Sequence, residues 1–309
     1  MKILVTGGCG YKGSVLVPKL LEAGYEVVVV DIQWFGNHLK PHPLLTVLKE
    51  DVRNIERIPL QGVDAIIHLA SVANDPCCEL SPKLTWEISA LSTMQLVDAA
   101  VKNHIKQFIY ASSGSVYGVS DDPNVTEETE LKPLSEYNKA KMVAEAAANS
   151  YKDKILLQIV RPATVCGYSP RMRLDVSVNM LTMQALSKGV ITVFGGNQIR
   201  PNIHIDDITD LYLFLLKNKT PGTFNAGFEN LSILDIAKQV TSFIPAEIKV
   251  TESNDPRSYR INSDKLLKIF QPKKTIKIAI EEMIQLYKEN ILKDMPQFYN
   301  LQVMKEFEL

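Results

Sequence analysis

Long hydrophobic runs are what this 309-residue chain lacks first. The apolar stretch at 27–30 stops at Asp31, far short of the roughly 20 residues that cross a bilayer, so a membrane span is excluded. A surplus of charge of one sign is lacking too. With 34 Lys and Arg against 35 Asp and Glu, no broad basic surface exists to neutralise a nucleic-acid backbone or an anionic membrane. Cysteine is scarce, and Cys9, Cys77, Cys78 and Cys166 have no paired metal-type spacing, so neither a metal site nor a disulfide framework is expected in a reducing compartment. Repeats and low-complexity tracts are absent. The apolar stretch at the N-terminus is too short for a secretory signal and turns straight into glycines, which reads as cytoplasmic. What remains, 46% hydrophobic and 22% charged, is the composition of a globular chain of one large or two modest domains.

The first third of the sequence alternates short β-branched runs (2–6, 26–30, 65–69, 107–111) with longer helical patterns (14–23, 84–102). Such alternation calls for a parallel sheet with helices on both faces, because each crossover must travel back across the sheet. After Arg161 the texture changes to shorter elements and polar loops. The expected fold class is therefore α/β: a Rossmann-type doubly wound parallel sheet over 1–162, then a smaller C-terminal α/β substrate-binding lobe over 163–309, with segments near 190–217 returning to the core. The tail beyond the helical pattern near 280 carries little signal.

Thr6-Gly7-Gly8-Cys9-Gly10-Tyr11-Lys12-Gly13 follows the first strand directly and opens the first helix, the context a dinucleotide-binding loop requires. Gly7 allows a tight turn, Gly10 lets the backbone approach a diphosphate, and Gly13 lets helix pack on strand, with the anion at free helix N–H groups. Asp31, ending the second strand, is placed to accept hydrogen bonds from an adenosine ribose and to repel a 2′-phosphate, favouring NAD over NADP. Lys12 points the other way, as a cation inside the loop, and carries less weight than Asp31.

Tyr137 and Lys141 stand four apart in an alanine-rich segment, hence on one face of a helix over 135–151. A tyrosine with a pKa near 10 becomes a usable base when a fixed cation favours its phenolate. Upstream, Ser112-Ser113-Gly114-Ser115-Val116-Tyr117-Gly118 lies at the carboxyl end of a parallel strand, where ligands of open α/β sheets bind. A solvated helix face and a serine-rich turn would account for each piece taken alone.

Taken together these residues resemble the extended short-chain dehydrogenase/reductase family, in particular its nucleotide-sugar epimerases, dehydratases and dehydrogenases. The matching pieces also include Asp51-Val52-Arg53, His68-Leu69-Ala70-Ser71, Val160-Arg161-Pro162, Arg200-Pro201-Asn202-Ile203-His204-Ile205-Asp206-Asp207 and Asp255-Pro256-Arg257-Ser258-Tyr259. The resemblance implies Tyr137 as general base, Lys141 as its tuner and nicotinamide-ribose ligand, and Ser113 as partner of the reacting hydroxyl. It places Tyr11 and Lys12 with Gly7, Gly10 and Gly13 in the NAD loop, Asp51 and Val52 at the adenine, Leu69, Ala70 and Ser71 along the cofactor, and Pro162 beside the nicotinamide. Arg200 and Arg257 match positions that clamp a sugar-nucleotide diphosphate. Thr164, Arg171, Arg173 and Asn179 are further candidates for substrate contact, and His204 reads as a structural histidine.

Within that family, the 4,6-dehydratases carry an Asp-Glu pair where this chain has Gly114 and Ser115. Without the pair an elimination lacks its acid and base. The resemblance thus implies an NAD-dependent 4-epimerase or 4-dehydrogenase acting on a nucleotide hexose or heptose, of the kind that serves surface-polysaccharide biosynthesis. It also implies a homodimer through the helices at 84–102 and 135–151. The alternatives are a 4-keto-sugar reductase, which is the reverse reaction, and a non-catalytic dinucleotide-binding sensor; an intact Ser113, Tyr137 and Lys141 argues against the sensor.

Overall fold

The computed structural model describes residues 1–120, 122–253 and 258–307. Its first half alternates strand and helix: β1 (Lys2–Thr6), α1 (Gly13–Glu22), β2 (Glu26–Asp31), β3 (Leu45–Lys49), β4 (Ala65–His68), α2 (Asp75–Leu80), α3 (Pro82–Trp86), α4 (Ser92–Lys102), β5 (Gln107–Ala111), α5 (Glu136–Asn149) and β6 (Leu156–Pro162). The second half adds β7 (Thr164–Cys166), α6 (Ser177–Lys188), β8 (Val190–Phe194), β9 (Ile199–His204), α7 (Ile205–Asn218), β10 (Gly222–Ala226), β11 (Glu229–Ser232), α8 (Ile233–Thr241), β12 (Glu247–Thr251), α9 (Asp264–Leu267), α10 (Ile276–Lys288) and α11 (Asn300–Met304).

A seven-stranded sheet runs β10-β6-β5-β4-β1-β2-β3, and all of its pairings are parallel. Strand order reverses between β1 and β4, which opens a crevice at their carboxyl ends. Helices cover both faces, so the strands are apolar on both. Ile3, Val5, Val27 and Val29 pack with Leu16 of α1 and Leu211 of α7. Leu4, Val28, Ile66 and Phe108 pack with Leu96 of α4 and Ala144 of α5. That two-sided burial is why 27–30 is an unbroken valine run.

The smaller lobe holds the three-stranded sheet β11-β9-β7 and the pair β12-β8, around Val178, Leu181, Ile191, Ile236 and Ile280. Of the stretch expected to return near 190–217, α7 does pack against α1 and leads into β10 of the main sheet. β8 does not return, since it pairs with β12.

The helix expected over 84–102 is broken. A π turn at Glu87–Leu91 separates α3 from α4. The hydroxyls of Ser92 and Thr93 donate back to the carbonyls of Ile88 and Ser89, a side-chain competition that bends helices. Ser89 lies in that turn, with its hydroxyl 2.9 Å from that of Ser71, so the turn supports the loop after β4. Among the described residues no helix is long and apolar enough to cross a membrane.

Candidate active site

A cavity of about 410 Å³ opens at the strand-order reversal. Its floor is the glycine loop. Gly7, at φ +73°, donates its N–H to the Val30 carbonyl at 2.9 Å, and a Cβ there would sit 2.6 Å from the Ala70 nitrogen. That close approach seats the loop against the end of β4. A Cβ on Gly10 would meet only the Gly7 carbonyl, at 3.2 Å, because Gly10 lines the cavity. Gly13, Tyr11, Lys12, Asp31, Asp51, Val52, Leu69, Ala70, Ser71 and Pro162, all expected near a cofactor, line the same cavity. Asp31 accepts from the N–H groups of Cys9 at 2.9 Å and Gln33 at 2.7 Å, while burial pushes its carboxyl above the ordinary range.

The inner end is set by α5. The Ser135 hydroxyl caps the helix by accepting from the Asn138 N–H at 3.2 Å, which directs Tyr137 and Lys141 to one side. The Tyr137 phenol and the Ser113 side chain both line this end of the cavity. Ser113 in turn lies 2.7 Å from the Ser115 hydroxyl, which donates to Asn138. Burial holds the Tyr137 phenol above its ordinary pKa, while Ser113 and the charge of Arg173 act to lower it. Lys141 is 3% exposed and donates to the Ala111 carbonyl at 2.8 Å. Burial, and next the charge of Lys12, push its pKa down to about 7. Behind Lys141, buried Glu145 binds Arg161 at 2.6 and 3.0 Å and accepts from the Ser112 hydroxyl.

The mouth is held by residues far apart in sequence. The Arg171 guanidinium lies 3.9 Å from the Phe35 ring centroid and donates to Asn300 at 2.5 Å. Its Nε is buried without a protein partner. Asp175 accepts from Arg173 at 2.8 Å, from Asn74 at 2.9 Å and from the Asn300 N–H at 3.3 Å. Thr164, Arg171, Arg173 and Arg200 all line the cavity.

Asn179 does not line it and requires a correction. It is fully buried in α6. Its amide accepts from the Gly167 N–H at 2.9 Å and donates to the Tyr11 hydroxyl at 3.0 Å and the Arg173 carbonyl at 2.9 Å. It therefore braces the wall rather than touching a ligand. Arg257 lies outside the described residues. His204 caps α7, its Nδ1 accepting from the Asp206 N–H at 3.0 Å, and its Nε2 lies 3.2 Å from Glu282.

Sequence reasoning missed Phe35, Asn74, Asp175 and Asn300. Asn74 was the accessible one, since Asn-Asp-Pro is a helix-start signature and Asn74 caps α2 by accepting from the Cys77 N–H at 3.0 Å. The glycine cradle, the Asp31 carboxylate at the end of β2 and the partnerless Arg171 Nε line one elongated cavity, whose chemistry fits an anionic dinucleotide.

A family model described as the NAD dependent epimerase/dehydratase family matches residues 3–227. An uncharacterized protein, y4nG of Sinorhizobium fredii, is 33% identical over 230 residues, 72% of this chain and 55% of that protein's length. The UDP-glucuronic acid decarboxylase 1 of Arabidopsis thaliana is 29% identical over 95% of this chain and 71% of its own. Among solved structures, a UDP-glucuronic acid 4-epimerase from Bacillus cereus, in complex with UDP-glucuronic acid and NAD, superposes with a TM-score of 0.81. It is 27% identical, with 94% of this chain and 100% of that one covered.

Proposed function

The chain belongs to the NAD-dependent epimerase/dehydratase family, and from that membership we propose that it oxidises C4 of a nucleotide sugar, as a 4-epimerase or a 4-dehydrogenase. One observation carries the reading: Ser113 and Tyr137, with Lys141 one turn on from Tyr137, line the same cavity as the glycine loop. Bound NAD supplies the electron acceptor. Gly7, Gly10 and Gly13 seat its diphosphate, Asp31 its adenosine ribose, and Lys141 its nicotinamide ribose. Tyr137 takes the proton of the C4 hydroxyl as general base. Ser113 holds that oxygen, and the ammonium of Lys141 favours the phenolate. Arg173 and Arg200 offer guanidinium forks to the diphosphate of the sugar nucleotide.

The serine loop supports this against dehydration. Gly114 offers no acid, and the Ser115 hydroxyl is engaged with Ser113 and Asn138. Two of the three relatives reported above act, by their names, on a UDP-linked uronic acid, which puts carboxylated sugars in the test. The experiment is incubation of the protein and NAD with UDP-, GDP-, CDP- and dTDP-linked hexoses, heptoses and uronic acids, read by nicotinamide absorbance and product NMR. Inversion at C4 without net NADH identifies an epimerase, and a 4-keto sugar with stoichiometric NADH a dehydrogenase. Loss of water across C5 and C6 would sink the reading.

A further inference from the structure

The inner end of the cavity carries more positive charge than its fixed acids neutralise. Lys12 and Lys141 both line the cavity, and the charge of Lys12 acts to lower the pKa of Lys141. Two of the acids around them are committed. Glu145 is held by Arg161 and Asp175 by Arg173, which leaves the Asp75 carboxylate, bonded to Ser135, against two ammonium groups. Lys19, further along α1, shows the ordinary arrangement, paired with Asp206 at 3.0 Å and Asp210 at 2.7 Å. The Lys12 ammonium, among the described residues, has no hydrogen bond and no ion pair. It stands over the Tyr212 ring, 6.0 Å from the centroid, and the Tyr212 hydroxyl is itself buried without a partner. Burial, and next the charge of Arg173, push the pKa of Lys12 down to about 8.

We propose that Lys12 sets the redox preference of the site: as a second uncompensated cation beside Lys141, it makes the protein hold the reduced nicotinamide dinucleotide more tightly than the oxidised one. The inference rests on Lys141 marking the nicotinamide end of the cavity. The oxidised ring carries a positive charge and the reduced ring carries none, whereas the diphosphate and both riboses are common to the two forms. A fixed cation at that end therefore penalises only the oxidised form, and strongly so where walls exclude water. A cation that merely neutralised the diphosphate would favour both forms equally, so the ratio of affinities separates the two roles. The consequence for the reaction is a cofactor that is a stronger oxidant when bound, a larger share of 4-keto sugar on the protein, and slow loss of the reduced dinucleotide.

The test measures dissociation constants of NAD and NADH at pH 7, by calorimetry and by NADH fluorescence, for the native protein, Lys12→Met and Lys12→Arg. The native protein is expected to favour NADH. Lys12→Met should shrink that preference by roughly tenfold, about 1.4 kcal/mol, mainly by tightening NAD, and Lys12→Arg should keep it. Equal weakening of both forms in Lys12→Met would overturn the proposal, making Lys12 a diphosphate ligand. Unchanged constants would overturn it as well. A protein that shows the Lys12-dependent ratio but oxidises no nucleotide sugar would sink the functional reading and leave this one standing.

Discussion

Lys141 is an ammonium kept where water barely reaches, with its nitrogen on the Ala111 carbonyl and its pKa pushed down to about 7 by burial and then by Lys12. In the unfolded chain the same group titrates at about 10.4. Between those values the unfolded state binds more protons, so stability rises with pH. The cost of burying the charge is fully present below about 7 and is relieved as pH climbs towards 10. Urea unfolding of the cofactor-free protein at pH 6 and pH 9 should therefore show the native chain gaining stability relative to Lys141→Met, and parallel behaviour would contradict the burial argument. Tyr137→Phe should leave NAD affinity intact and slow C4 oxidation by roughly two to four orders of magnitude, read from NAD titration and turnover on one preparation. Both residues were legible because they are four apart on a helix. Glu145, one turn further, was not, since its partner Arg161 comes from β6 and only the folded sheet brings them together.

The elements written in local pattern came through best. The glycine loop needs only a strand before it and a helix after it, and the valine run of β2 announces two-sided burial by itself. The π turn at Glu87–Leu91 was invisible to a helical period, because hydroxyl back-bonding decides it and Ser and Thr fit either reading. The C-terminal segment was the other silent element. Its α11 closes the mouth of the cavity through Asn300, which bonds Arg171 and Asp175, and Phe307 lies 5.9 Å from Trp34 between ring centroids. These contacts join positions so distant in sequence that no periodicity records them. Asn300→Ala would leave the Arg171 fork short of a second partner and loosen that wall. Stopped-flow displacement should then show NADH leaving roughly tenfold faster, the equivalent of one lost charge-assisted hydrogen bond, with the melting profile little changed. An unchanged exit rate would mean the segment is not part of the exit path.

At the scale of the whole molecule, the cavity lies at the strand-order reversal of the doubly wound sheet and is lined also by Thr164, Arg173 and Arg200 from beyond β6. The helices expected to pair two copies carry exposed apolar side chains, Leu91 and Met94 on one and Val143 on the other, at 44%, 43% and 40% exposure. A dimer through this face predicts that Leu91→Asp with Met94→Asp shifts the protein from dimer to monomer in light scattering, and a native monomer would refute the assembly. The central claim is that oxidation occurs at C4, and the most direct measurement uses UDP-glucose and UDP-glucuronic acid deuterated at C4 in a rapid quench with NAD. Transfer of the deuterium to the nicotinamide with a primary isotope effect, slowed by roughly two to four orders of magnitude in Tyr137→Phe, is the predicted result. A converted sugar that keeps its C4 deuterium at every stage, with none in the nicotinamide, would contradict it.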